Sequence, residues 1–155
     1  QSTYCQLGQL GALVGLPLQG QARLCEFGLA DLQPEWKDER IWYCSMGSTQ
    51  SITDSFLALM REVYWSEGQP SLQDGVFAVL WTLQHAVAVN PGGVNLPIRI
   101  AVLERAPSGE LRARMLRNGE LQEHRQNIGE AKRKLQELRQ LHRSVDSAPD
   151  APRLG

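Results

Sequence analysis

The hydrophobic period of this chain changes at Gly47, and that change limits what it can fold into. Before it, Ala22 to Phe27 (ARLCEF) alternates, with Ala22, Leu24 and Glu26 on one face and Arg23, Cys25 and Phe27 on the other. After it, Ile52, Phe56, Leu59, Met60 and Val63 recur at helical spacing. A period of two belongs to a strand and one near 3.6 to a helix. The apolar run Leu10 to Leu16, followed by Pro17 and a Gln19-Gly20 turn, makes a hairpin with Ala22 to Phe27. Gln33 to Arg40 (QPEWKDER) is polar and contains Pro34, so it reads as a loop. Arg40 to Ser45 (RIWYCS) has the composition of a third strand, ending at Gly47.

Two helices follow. Ser48, Thr49 or Ser51 can cap the first, and Asp54 suits its first turn. Ser66 to Pro70 stops it. Ser71 caps the second, with Asp74 as a capping-box variant. The second helix carries Leu72, Val76, Val79, Leu80, Leu83 and Val87, widened by Ala78, Trp81, Ala86 and Ala88, so burial on more than one side is expected. Asn90-Pro91-Gly92-Gly93 ends it. Ile98 to Glu104 and Leu111 to Leu116 read as two closing strands. From Glu120 to Arg143 the chain is polar and free of proline, with Leu121, Ile128 and Leu135 seven apart, as are Ala131 and Leu138. That is a short heptad-like stripe. Strands with helices inserted as a block indicate an α+β chain rather than a doubly wound parallel sheet. The expected organisation is a domain over 1–117, a terminal helix over 118–143 and a flexible tail over 144–155.

With 155 residues, a net charge of −1 and a pI near 6.3, the chain is long enough for one cored domain. Its charge balance gives no reason to expect nucleic-acid or membrane-surface binding. The basic residues Arg112, Arg114 and Arg117, with Lys132, Arg133, Lys134, Arg139 and Arg143, are interleaved with glutamates and read as a solvated surface. No apolar run is long enough to span a membrane. The three cysteines, Cys5, Cys25 and Cys44, show no C-x-x-C spacing and lie far from the three histidines, so no metal and no cofactor is expected. Reduced thiols in a cytoplasmic protein are the expectation. The tryptophans Trp36, Trp42, Trp65 and Trp81 are expected as packing anchors, and His85, near Trp81, as a core or interface histidine. The stretch Cys44 to Gln50 (CSMGSTQ) places Gly47-Ser48-Thr49 at a strand–helix junction. It does not match the G-x-S-x-G frame of a hydrolase elbow, and it lacks the glycines and lysine of a phosphate loop.

Taken together, the segments 10–28, 40–60 and 72–104 resemble the C-terminal half of proteasome-type β subunits and bacterial HslV-type peptidases, with Gly47-Ser48 matching the family's Gly-Ser-Gly and Thr49 replacing its second glycine. The resemblance implies an N-terminal-nucleophile fold, an αββα sandwich of antiparallel sheets with outer helices, plus the long C-terminal helix. It implies a threonine-type peptidase working in a homo-oligomeric ring, in which Ser48 is the supporting hydroxyl. Peptide or unfolded protein is then the substrate, and a ring-feeding ATPase is a partner. Self-association is expected through helices 51–65, 71–89 and 120–143. The first half of such a domain, with its lysine and aspartate, has no counterpart here. Ser2, Thr3 and Cys5 follow Gln1 and are not expected to be the nucleophile, which is absent. Asn90 stands where the family has an aspartate. This polypeptide alone is therefore expected to be inactive. The alternative is a non-catalytic assembly module on the same scaffold.

Overall fold

The architecture was obtained as a computed structural model and describes residues 11–28, 32–38, 40–66, 68 and 70–146. Ser2, Thr3, Cys5 and the part of the tail beyond 146 lie outside the described residues. Strands β1 (Ala12–Leu18) and β2 (Gln21–Phe27) pair antiparallel from Ala12 opposite Phe27 to Leu18 opposite Gln21. Their turn residues Gln19 and Gly20 have φ of 51° and 74°. Positive φ at both positions is the mark of the primed hairpin turn that suits strand twist, and glycine occupies the second position without strain.

The third strand, β3 (Pro34–Trp36), lies within the expected loop. It pairs antiparallel with β2, Cys25 opposite Trp36 and Phe27 opposite Pro34. Proline is tolerated because it opens an edge strand, where its missing N–H removes no ladder bond. In this register Glu26 faces Glu35, a repulsive pair. The Lys37 ammonium resolves it, lying 2.7 Å from Glu26 and 2.6 Å from Glu35. Burial disfavours the charge on Lys37, but the two carboxylates outweigh it and hold the ammonium pKa above its ordinary value.

Residues 40–45, expected as the third strand, form none. Asp38 Oδ1 accepts hydrogen bonds from the Arg40 and Ile41 backbone N–H groups at 2.8 and 3.2 Å, which turns the chain out of the sheet. Trp42 and Tyr43 then pack edge-on to each other at 5.4 Å, and Trp42 meets Trp65 at 5.9 Å. Their aromatic bulk serves side-chain packing rather than strand pairing. Trp36 is exposed and anchors no core, whereas Trp81 is buried among Phe56, Tyr64 and Phe77.

Helix α1 (Gln50–Tyr64) follows Thr49, whose side chain makes no cap hydrogen bond. Its buried residues are Thr53, Leu57 and Met60, while Leu59 and Val63 of the expected stripe face outward. Helix α2 (Leu72–Val89) is capped by Ser71 as expected, with both capping-box bonds to Asp74 present. Val76, Ala78, Leu80, Trp81, Thr82 and Ala86 are buried around it, so it is packed on more than one side. Strands β4 (Ala101–Arg105) and β5 (Leu111–Met115) form a second antiparallel sheet. Ile100 and Val102 join Leu57, Met60, Leu80 and Trp81 in the core. Arg105 links the two sheets, donating to the Gly20 carbonyl of the hairpin turn at 2.6 Å and to the Gly109 carbonyl at 2.5 Å.

Helix α3 (Asn118–Asp146) is longer than expected and continues into the region read as tail. Its start is fixed by Glu120, which accepts from the Arg117 backbone N–H at 2.9 Å and pairs with Arg114 at 2.9 Å. Leu121, His124 and Ile128 are buried, and α3 packs on α2. The fold is thus mixed α+β, with two small antiparallel sheets and three helices among the described residues.

Candidate functional site

The stretch singled out in the sequence lies where the chain passes from residues 40–46 into α1. Gly47 has a φ of 112°, a conformation that favours glycine, and its carbonyl accepts from the Gln50 N–H at 3.1 Å. This tight turn delivers three hydroxyl residues to the junction, each with a different task.

Ser48 is exposed and donates to the Gly93 carbonyl at 3.0 Å. It therefore joins the entry of α1 to the turn after α2. That turn is closed by hydrogen bonds from the Gly93 and Val94 N–H groups to the Asn90 carbonyl at 3.1 and 3.2 Å. Gly93 is needed for close approach: a Cβ there would lie 2.6 Å from Asn90 Nδ2 and 3.2 Å from Ser48 Oγ. The Asn90-to-Gly93 stop seen in the sequence is thus also the docking partner of Ser48.

Ser45 and Thr53, neither named as site residues from the sequence, form the denser network. Ser45 Oγ donates to Asp54 Oδ1 at 2.5 Å, and Thr53 Oγ1 lies 2.6 Å from Ser45 Oγ. Thr53 Oγ1 is also 3.0 Å from the Thr49 carbonyl and 3.2 Å from the Gln50 carbonyl, so its one proton has three acceptors. Asp54, expected in the first turn as a dipole partner, sits past that turn and instead receives Ser45. Sequence reasoning missed the cluster because Thr53 lies on the buried stripe Thr49, Thr53, Leu57, Met60, whereas the apolar count pointed to Ile52, Phe56, Leu59, Met60 and Val63, of which only Met60 is buried. A polar residue in register with Leu57 and Met60 was the available signal.

These residues border a cavity of about 230 Å³, lined by Cys44, Ser45, Thr49, Thr53 and Thr82 with apolar neighbours that include Leu13, Leu57 and Val79. It is below the usual size range of ligand pockets, about 300–1,000 Å³. Thr82 turns its hydroxyl back to the Ala78 carbonyl at 2.7 Å. Cys44 is half-buried, and burial first, then the charge of Glu26, pushes its thiol pKa up to about 11. A thiol so shifted is a poor nucleophile near neutral pH.

The histidines stand apart from this cluster in their contacts. His85 stacks on Phe56 with ring centroids 4.7 Å apart. His124 is buried, its Nε2 3.0 Å from Gln73 Oε1. It borders a separate cleft of about 660 Å³ that also holds Tyr64, Trp65, Phe77 and Arg114. Among the described residues, no imidazole or amine hydrogen-bonds Ser45, Ser48 or Thr53, and no group of three metal-ligating side chains occurs. What the site does is hold: Ser45 spends its proton on Asp54 and its lone pair on Thr53, and Ser48 pins a carbonyl. No protein-family profile, curated protein or solved structure matches this chain.

Proposed function

We propose that this chain is the scaffold portion of a proteasome-like, N-terminal-nucleophile peptidase subunit, with Ser48 as a supporting hydroxyl and peptide or unfolded protein as substrate. The observation that carries the reading is the position of Ser48. It follows a positive-φ glycine at the mouth of a helix and reaches across to the turn that ends the next helix. A hydroxyl fixed this way, its proton on the Gly93 carbonyl, has its lone pairs ready to accept from an amine brought beside it, while having no base of its own among the described residues. The apolar residues exposed on α1 and α2, among them Leu59, Val63, Leu72 and Val79, support assembly through those helices.

The same absence of a base beside the hydroxyls favours a second reading, a non-catalytic assembly module on this scaffold. The two are separated by intact mass and N-terminal sequencing of the protein from its native source. A larger species beginning at a processed Thr, Ser or Cys supports the peptidase. A mature protein identical to this chain supports the module. A companion assay fixes the role of Ser48. This polypeptide alone is expected to leave a fluorogenic peptide uncleaved, and turnover abolished by Ser48→Ala would make Ser48 a nucleophile and overturn the supporting role.

A further inference from the structure

The stripe on α3 continues in phase beyond the point where the domain stops covering it. With Leu121 and Ile128 at the a positions of a heptad, His124 and Ala131 fall at d, followed by Leu135 at a and Leu138 at d. Leu121 and Ile128 are each 2 % exposed, whereas Leu135 and Leu138 are 57 % and 53 % exposed. The same face is core in its first half and, among the described residues, open in its second. From Lys132 to Gln140, all exposed, the open part runs for about 14 Å at 1.5 Å per residue.

The flanks of the stripe say what fits there. Its e positions are Arg125, Lys132, Arg139 and, at the last residue of the helix, Asp146; at g, Lys134 precedes Leu135 and Leu141 follows Leu138. Arg133 is neutralised by Glu137 at 2.6 Å, but both lie on the outer face at f and c. Lys132, Lys134 and Arg139 make no ion pair among the described residues. A second copy of this helix would set Lys134 against Arg139 if parallel, and e against e and g against g if antiparallel. Either arrangement places like charges along the seam. The stripe is also narrow, an a/d seam with Glu123, Glu130 and Glu137 at c, widened only by Leu141 at g toward its far end. An interfacial membrane helix presents a wider apolar face, with aromatic residues on it. A partner helix with apolar a and d residues and carboxylates at e and g meets both the apolar and the charge pattern.

We infer that residues 132–140 of α3 dock an acidic amphipathic helix of another protein, seated on Leu135 and Leu138 and held by Lys132, Lys134 and Arg139. This stands independently of the peptidase reading.

The test uses the full chain and a labelled synthetic peptide of about three heptads with Leu at a and d and Glu at e and g. Fluorescence anisotropy is expected to show saturable binding that weakens as salt rises. Leu135→Gln with Leu138→Gln should weaken it about tenfold or more. The melting temperature should be retained, because both side chains are exposed. Lys132→Glu, Lys134→Glu and Arg139→Glu together should move preference to the matching peptide with Lys at e and g. The inference is overturned by no binding, by equal binding of the two peptides, or by insensitivity to the leucine changes. It is also overturned if the full chain dimerises through Leu135 and Leu138 in sedimentation. Sedimentation with phosphatidylserine vesicles but no peptide binding would assign the face to membrane instead.

Discussion

Gly93 shows how much one residue can carry. The sequence marks it as part of a helix stop, and that reading holds, but it also offers its carbonyl to Ser48, forty-five residues away in the chain, and its missing Cβ leaves room for the Asn90 side chain. Gly93→Ala is expected to destabilise by about 1 kcal/mol or less, because the atoms its Cβ would meet are the ends of the Asn90 and Ser48 side chains, which can turn aside. The same change in an Asn90→Ala background should cost clearly less, because the atom 2.6 Å from the new Cβ is gone. Urea denaturation of the two singles and the double closes this cycle, and strict additivity would refute the steric account. Cys44 gives a second residue-level expectation. Its alkylation by iodoacetamide, followed by mass spectrometry, should rise with a midpoint near pH 11 rather than near the ordinary value of about 8.5. Because the folded pKa is raised, the thiol's contribution to stability is complete below the unfolded value and is lost as pH climbs toward about 11. The Ser71–Asp74 box was legible because capping chemistry is local. The Ser45–Asp54–Thr53 network was not, because it depends on which face of α1 turns inward.

At the scale of elements, the hairpin, both central helices and the closing strands were readable from period and punctuation. The third strand was misplaced by a few residues, for a physical reason. Residues 40–45 have strand composition but no ladder partner among the described residues, while Pro34–Trp36 has poor strand composition and a partner in β2. Pairing decided, and propensity did not. Lys37 makes that pairing tenable. Lys37→Met should cost about 1–3 kcal/mol, since it leaves Glu26 facing Glu35 with no counter-charge. Circular dichroism melts of Lys37→Met and of Lys37→Met with Glu35→Gln check this, the second change being expected to recover part of the loss. A stability effect of Lys37 that was flat into strongly alkaline solution would contradict its role. Its raised pKa means the contribution is complete below the unfolded value and disappears as pH climbs through the folded one.

For the whole molecule, the mixed α+β character followed from element order alone. What sequence could not supply was which apolar positions would end up outside. Leu13, Val14 and Leu18 of β1 and Leu59 and Val63 of α1 are exposed, and β1 forms one edge of its sheet. An edge strand with apolar residues on both faces calls for cover. Sedimentation at micromolar concentration is therefore expected to show a species heavier than a monomer. Leu59→Glu with Val63→Glu should shift it toward the monomer without lowering the helix content, and a monomeric parent would count against assembly through α1.

The length of α3 has a geometric consequence. A single proline-free helix runs from Asn118 to Asp146, with Leu121 and Ile128 of its first half in the core, so its far end inherits the angular phase of its buried part. A straight helix drifts about 20° per heptad against a seven-residue repeat. Whatever rests on Leu135 is thereby aimed at a bearing set by Leu121 and Ile128. The domain does not merely carry a handle; it determines the compass direction in which that handle points.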